Sequence, residues 1–403
     1  MRLALIVDDY LPHSTRVAAK MMHELALELA CQGHEPIVIT LKGDNKSSHL
    51  VADIIDGIQV FRFPGGRIKD VSKVVRAFNE SLLSVRAWWY LKDMLASKRI
   101  DGVIYYSPSI FFGPLVNKIK SLWNCPSYLI LRDIFPQWVI DEGMLREKSI
   151  IAKYFRFFEN INYKAADFIG LMSQKNLEFF CQHKWHNHVD VLYNWAKPVP
   201  AQLPLSYQGI RHQLGLTGKV IFFYGGNIGR AQDMDNLLRL AKALKNRKEA
   251  HFLFIGQGDE VDLVKNTIAK FNLNNTTYLP SVAQEEFKNI LCEVDVGLFS
   301  LARSHKTHNF PGKILGYMVN KVPILGSINP DNDLADVING ANAGMVLING
   351  EDDKLVSAAE LLLSNKDYRR GLGNNAWMLL HDRFSVTSAT SNICKQLAEV
   401  KNS

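Results

Sequence analysis

Cysteine is scarce and scattered in this chain. Cys31, Cys125, Cys181, Cys292 and Cys394 are the five in 403 residues, and none forms a CxxC pair. That argues against a disulfide framework and suggests reduced thiols in a cytoplasmic enzyme. No stretch of 18 or more apolar residues runs uninterrupted, so no spanning helix is expected. The first strand's exit, "IVDDYLPHS", carries no GxGxxG, which disfavours hydride transfer with a nicotinamide cofactor. The opening "MRLALIVDDY" has no cleavage region and turns acidic at once, so it reads as a strand and not a leader. Low-complexity tracts and short repeats are also missing.

What is present is an ordinary globular balance, 47% apolar and 22% charged, in a chain too long for one core. Strands alternate with helices throughout. "LALIV" opens, a helix over about 14–32 follows with Val17, Met21, Leu25 and Leu29 on one face, and Gly33 closes it before "PIVITL". "IQVFRF", "GVIYY", "SYLIL", "DFIGL" and "VDVLY" continue the series, which predicts a parallel sheet covered on both faces. At 193–205 the proline-bearing "YNWAKPVPAQLPL" interrupts the rhythm. It resumes with "KVIFFYGG", "HFLFIGQG", "TTYLP", "VDVGLFS", "VPILGS" and "GMVLI". The expected division is a domain over 1–195, a linker over 196–210, a second domain over 211–380 and a crossover helix in 381–403. The fold class is α/β, with two Rossmann-like domains facing a cleft.

Ligands of open parallel sheets bind beyond the carboxyl ends of strands, so the exits are the places to search. After strand 220–224 stand Gly225, Gly226, Asn227, Ile228, Gly229 and Arg230, with a helix from about Asp233. Glycines there let amides approach a phosphate and Arg230 adds charge, though a tight βα turn would look the same. "FIGQG" places Gly256 and Gly258 at a second exit, without the third glycine of a dinucleotide fingerprint. The third exit, "NFPGKILGYM", puts Pro311 at the expected helix start and leaves Gly312 open beside Lys313. Together these predict a diphosphate site. Asp133, at the exit of "SYLIL", is the carboxylate expected to face an acceptor; a structural cap or a partner for Arg132 is the alternative.

"GGNIGRAQ", "FIGQG" and "FPGKILGYMVNKVPIL", in that order, resemble the retaining GT-B glycosyltransferases of family 4. "DDYLPHSTRVAAKMMHELALELACQGHEPIVIT" is similar to that family's opening, and "LILRDIFPQW" to a segment of its polysaccharide-assembly members. "RDIFPQW", "NFPGKILGYM" and "NPDND" most resemble bacterial O-antigen enzymes that add N-acetyl-L-fucosamine. The resemblance implies a UDP-sugar donor and no other cofactor. It also implies a lipid-linked diphosphate saccharide as acceptor, and retention with the leaving diphosphate taking the acceptor proton. Lys313 and Arg230 would stabilise the charge that grows on that diphosphate, assisted by amides of 225–229 and 311–313. Two glutamates usual in the family fall here on His308 and Gly316, and its loop Arg and Lys on Asn227 and about Gln232. Asp331 and Asp333 are possible substitutes for the carboxylates, and His305, Lys306 and His308 are possible donor contacts. A sugar-nucleotide 2-epimerase of the same architecture, or a non-catalytic nucleotide-sugar-binding subunit, would carry similar loops.

Residues 61–99 hold nine Lys/Arg against three Asp/Glu, an excess of six, and include Trp88, Trp89 and Tyr90. The basic-aromatic run 67–92 and "REKSIIAKYFRFF" are the candidate contacts to an anionic bilayer, placing the enzyme at the inner face of the plasma membrane. A solvated helix with aromatics turned inward is the competing reading. No nucleic-acid module is visible. Metal sites are not expected: Asp8 and Asp9 are adjacent and would point apart, and His183, His186 and His188 lack a completing ligand.

Overall fold

The computed structural model describes residues 1–14, 16–42, 49–66, 72–107, 109–141, 143–204, 207–304, 310–330 and 332–402. The chain forms two compact units, Met1–Asn194 with Val386–Ser403, and Trp195–Ser385.

The first unit is built on β1 (Arg2–Val7), β2 (Glu35–Leu41), β3 (Val51–Ile55), β4 (Ile58–Phe63), β5 (Gly102–Ser107), β6 (Ser127–Leu131), β7 (Phe168–Leu171) and β8 (Val189–Val191). Their order is β3-β4-β2-β1-β5-β6-β7-β8. β1, β5 and β6 are buried on both faces and, apart from Arg2, Ser107 and Ser127 at their ends, apolar, as strands between two helical layers must be. One expectation needs correction, because the sheet is not wholly parallel. β3 pairs antiparallel with β4 through Asp56-Gly57, whose φ values of 49° and 83° make the two-residue hairpin turn. As an edge strand half open to solvent, β3 alternates in burial and has no continuous apolar run to announce it.

Helices α1 (Val17–Cys31), α2 (Lys73–Ser81), α3 (Leu83–Ser97), α4 (Gly113–Trp123), α5 (Gln137–Asp141) and α6 (Ile150–Ala165) belong to this unit. Met21, Leu25 and Leu29 bury the predicted stripe of α1, whereas Val17 is exposed at its first turn. The helix starts later than predicted because Ser14 is engaged before it, donating to Asp9 and accepting from the Arg16 amide. α4 and α6 approach so closely at Gly113 that a Cβ there would lie 2.7 Å from the Asn162 backbone. The last helix, Val386–Asn402, packs on α1 with Ile393 and Leu397 buried.

The second unit contains β9 (Val220–Asn227), β10 (Ala250–Gln257), β11 (Thr276–Leu279), β12 (Val296–Ser300), β13 (Ile324–Ile328) and β14 (Gly344–Ile348). All its strand pairs are parallel, in the order β11-β10-β9-β12-β13-β14. Strand order reverses between β9 and β12. Such a reversal opens a crevice past the carboxyl ends, where doubly wound sheets hold ligands.

Candidate functional site

β9 and β12 are paired only at Val296–Phe222 and Gly297–Phe223, after which they part. Tyr317, from the helix Lys313–Val319, bridges the parting with its hydroxyl, which donates toward Phe223 O (3.2 Å) and Leu298 O (2.9 Å). The ring is fully buried and fits because residue 297 is glycine: a Cβ there would lie 2.3 Å from it. One turn earlier on the same helix stands Lys313. Tyr317 therefore fixes where that lysine arrives.

The Lys313 side chain is half-buried as a whole, but its Nζ is shielded from water and has no hydrogen-bond partner among the described residues. Nζ lies 3.4 Å above the centre of the Tyr224 ring, a cation–π contact that offsets part of the lost hydration. Gly226 is beside it, since a Cβ built there would be 3.9 Å from Cε and 4.0 Å from Nζ of Lys313. Burial pushes the Lys313 pKa well below the ordinary lysine range. Among the described residues, an ammonium in this position finds no anionic acceptor of the kind a buried cation ordinarily requires.

β9 runs further than expected, to Asn227, because Gly225, Gly226 and Asn227 continue the ladder with Ile255, Gly256 and Gln257. A short 3-10 turn, Arg230–Gln232, then precedes the helix Met234–Ala243. Gly226 has φ 119°, a backbone state side chains rarely tolerate. Gly256 and Gly258 serve packing: their Cβ atoms would lie 1.8 Å from Gly226 O and 2.1 Å from Ile228 O. Gly225 is covered by Phe287 and Gly229 by Asp259, while Asn227 donates to Gln232 Oε1 at 2.8 Å. Arg230 is 88% exposed and 3.7 Å from Asp259, so the structure sets it in a surface ion pair and not against Lys313.

Pro311 lies before the helix; Gly312 is the cap and Lys313 the first helical residue. Proline has no N–H, so of residues 311–313 only Gly312 and Lys313 can offer amides. A Cβ on Gly312 would meet nothing within 4 Å, whereas one on Gly316 would lie 3.0 Å from Leu291. His305, Lys306, His308 and Asp331 lie outside the described residues. Asp333 is buried at the entry to the helix Leu334–Gly340. Behind the site, Asn349 donates to Asp233 Oδ2 (2.9 Å) and Leu301 O (2.8 Å), and Ala302 N to Ala231 O (2.9 Å). These bonds tie the exits of β9, β12 and β14 together. Tyr224 and this network escaped the sequence reading, since neither a strand tyrosine nor a dispersed set of Asn and Asp has a spacing that marks it.

In the first unit, Asp133 leaves β6 with an exposed side chain, yet the chain crowding it raises its carboxyl pKa, with Arg132 pulling the other way. Arg132 instead donates to Leu192 O (2.5 Å) and Tyr193 O (3.2 Å). Asp8, half-buried after β1, is also raised, by burial first and by Asp9 second. Tyr106, at the end of β5, is pushed up to about 12 by burial and feels both Asp133 and Asp8. Thus three ionisable groups gather at the carboxyl edge, where the sequence singled out one. His183 stacks on Trp185 and His188 on Phe168, and no group of metal-capable side chains occurs among the described residues.

Residues 207–377 match the family model described as glycosyl transferases group 1. The chain is 26% identical over 223 residues to a probable glycosyltransferase, WbjE, of Pseudomonas aeruginosa, a match spanning 54% of each chain. It is 23% identical over 331 residues to the putative colanic acid biosynthesis glycosyl transferase WcaI of Escherichia coli K12, covering 78% of this chain and 80% of that one. Among solved structures it is similar to Anabaena HepE in complex with UDP-glucose, at TM-score 0.67 and 13% identity, covering 99% of this chain and 100% of that one.

Proposed function

We propose, starting from a glycosyltransferase of the GT-B fold whose residues 207–377 carry the group 1 signature, that the second unit binds a UDP-sugar through Lys313. The observation that carries this is the buried Nζ, without a hydrogen-bond partner among the described residues, beside Gly226 at the reversal of strand order. A diphosphate supplies what that ammonium lacks: negative charge and several acceptors at one point. As the glycosidic bond breaks, charge grows on the departing oxygens, and a cation already in place stabilises that state more than the ground state. Gly226 keeps the approach free of side chains. Arg230, exposed at the surface, is a second cation that would leave Asp259 for the phosphates.

The reaction is transfer with retention to a lipid-linked saccharide in surface-polysaccharide assembly: the name of WbjE supports glycosyl transfer and that of WcaI colanic acid biosynthesis, while retention and the lipid-linked acceptor rest on the motif resemblance. The leaving diphosphate takes the acceptor proton, and Asp133 holds the acceptor on the first unit. The proposed sugar is N-acetyl-L-fucosamine. It rests on the motif resemblance and on Gly316, which offers no carboxylate to a sugar hydroxyl at C6. The test is steady-state turnover with UDP-N-acetyl-L-fucosamine and UDP-glucose on a GlcNAc-diphosphate-lipid acceptor, for wild type and Lys313→Ala. The account expects preference for the former donor and a loss of about 10²–10³ in kcat for the variant. Near-normal turnover of Lys313→Ala would remove it from the site, and equal use of UDP-glucose would remove the sugar assignment.

A further inference from the structure

Two helices of the first unit carry large apolar side chains that face solvent. On α2, Val75 and Phe78 are exposed, Phe78 by 63%; around α6, Met144, Ile150, Ile151 and Phe157 are exposed, Ile150 by 86%. These are neighbours in space, because the Ser81 hydroxyl of α2 meets the Tyr154 hydroxyl of α6. Phe78 precedes Ser81 by one turn, and Ile150, Ile151 and Phe157 lie within one turn of Tyr154. At a pitch of about 5.4 Å, these side chains start within roughly 10 Å of that contact. The intervening aromatics Tyr154, Phe155 and Phe158 pack on the core, so the outward ones are not needed to cover it.

Charge flanks this patch. Residues 144–157 hold four Lys/Arg and one acidic residue, and Arg146, Lys148 and Lys153 are exposed. Topology places it as well. β4 connects to β5 through α2 and α3, and β6 to β7 through α6; the crossover helices α3 and α6 run back along the sheet, so the end of α2 at Ser81, where α3 begins, and the first turns of α6 lie at its carboxyl edge. Asp8 and Asp133 leave β1 and β6 at the same edge. No helix among the described residues is long and apolar enough to cross a membrane.

We propose that this face is a bilayer-docking surface: Phe78, Ile150, Ile151 and Phe157 enter the acyl boundary while Arg146, Lys148 and Lys153 meet anionic headgroups. Interfacial binding of this kind joins apolar burial to attraction by anionic lipid. It deepens the lipid-linked acceptor reading by bringing the carboxyl edge of the first unit to the surface from which such an acceptor projects. It stands apart from that reading physically, since docking needs neither donor nor acceptor. The aromatic run 88–90 is not its centre: Trp88 and Tyr90 pack against the core, and only Trp89 faces solvent, with Lys92 over its ring.

The test is flotation of the full chain with vesicles of phosphatidylethanolamine and phosphatidylglycerol, compared with phosphatidylcholine alone. The wild type should float with the anionic vesicles. Phe78→Ser/Ile151→Ser/Phe157→Ser should lower the partition coefficient by at least about tenfold while keeping the wild-type melting temperature. Arg146→Glu/Lys148→Glu/Lys153→Glu should abolish the preference for anionic vesicles. Turnover of a short-chain, detergent-free acceptor analogue should be unchanged in both variants, which separates loss of docking from loss of the transferase reading. Wild type that stays with the buffer fraction, or a serine variant that floats as well, overturns the proposal. So does a wild type that is dimeric in buffer when the serine variant is monomeric, because the face would then join two copies of the chain.

Discussion

Lys313 is a residue whose function and stability pull apart. In the unfolded chain a lysine titrates near about 10.4, while in the fold burial pushes Lys313 well below that. The sign follows. Below the depressed value the ammonium is buried at a cost, and as pH rises through that value toward the unfolded one, the cost is relieved and stability increases. A bound diphosphate would favour the charged form, raise the pKa again and take up a proton, so UDP affinity should weaken as pH rises across the same window. Lys313→Met keeps the volume and removes the charge. It should stabilise the ligand-free protein by about 0.5–2 kcal/mol at neutral pH, read as a higher melting temperature, and abolish the rise that UDP gives the wild type. A variant that melts lower, or is still stabilised by UDP, contradicts this account of the residue. The sequence marked Lys313 through the neighbouring Pro-Gly. It could not show the burial of Nζ, which depends on Tyr224 of another strand.

At the scale of the element, β9 and β10 carry glycine one residue before their ends for two different reasons. Gly226 faces Lys313 and open space, whereas Gly256 lies so close to Gly226 O that a methyl group would force the strands apart. Gly256→Ala should therefore cost about 1–3 kcal/mol by overpacking, while Gly312→Ala, with nothing near its Cβ, should cost less than about 1. Chemical denaturation of both variants checks the contrast; equal losses would show that the β9–β10 ends are not held as described. Both motifs were legible as glycine-rich exits, but their roles were not. A GxG is written alike whether it admits a phosphate or a neighbouring carbonyl. Helix starts were likewise placed a few residues early, at Ser14 and Pro311, because capping signals fix a region and side-chain partners fix the residue.

At the scale of the whole molecule, the alternation of buried strands and amphipathic helices was enough to reveal two α/β units on largely parallel sheets, and the motif resemblance added the GT-B fold. β3 was the exception, a half-exposed edge strand whose Asp-Gly turn was the only local sign of it. Substrate is less legible than fold, since His308 and Gly316 stand where the motif resemblance would place carboxylates. The central claim concerns one cation and the anion it awaits. A crystal structure of the protein with UDP tests it most directly. The account predicts diphosphate oxygens about 3 Å from Lys313 Nζ, over the Gly226 backbone. UDP bound with its phosphates elsewhere, and Nζ still against Tyr224 without an acceptor, would contradict it.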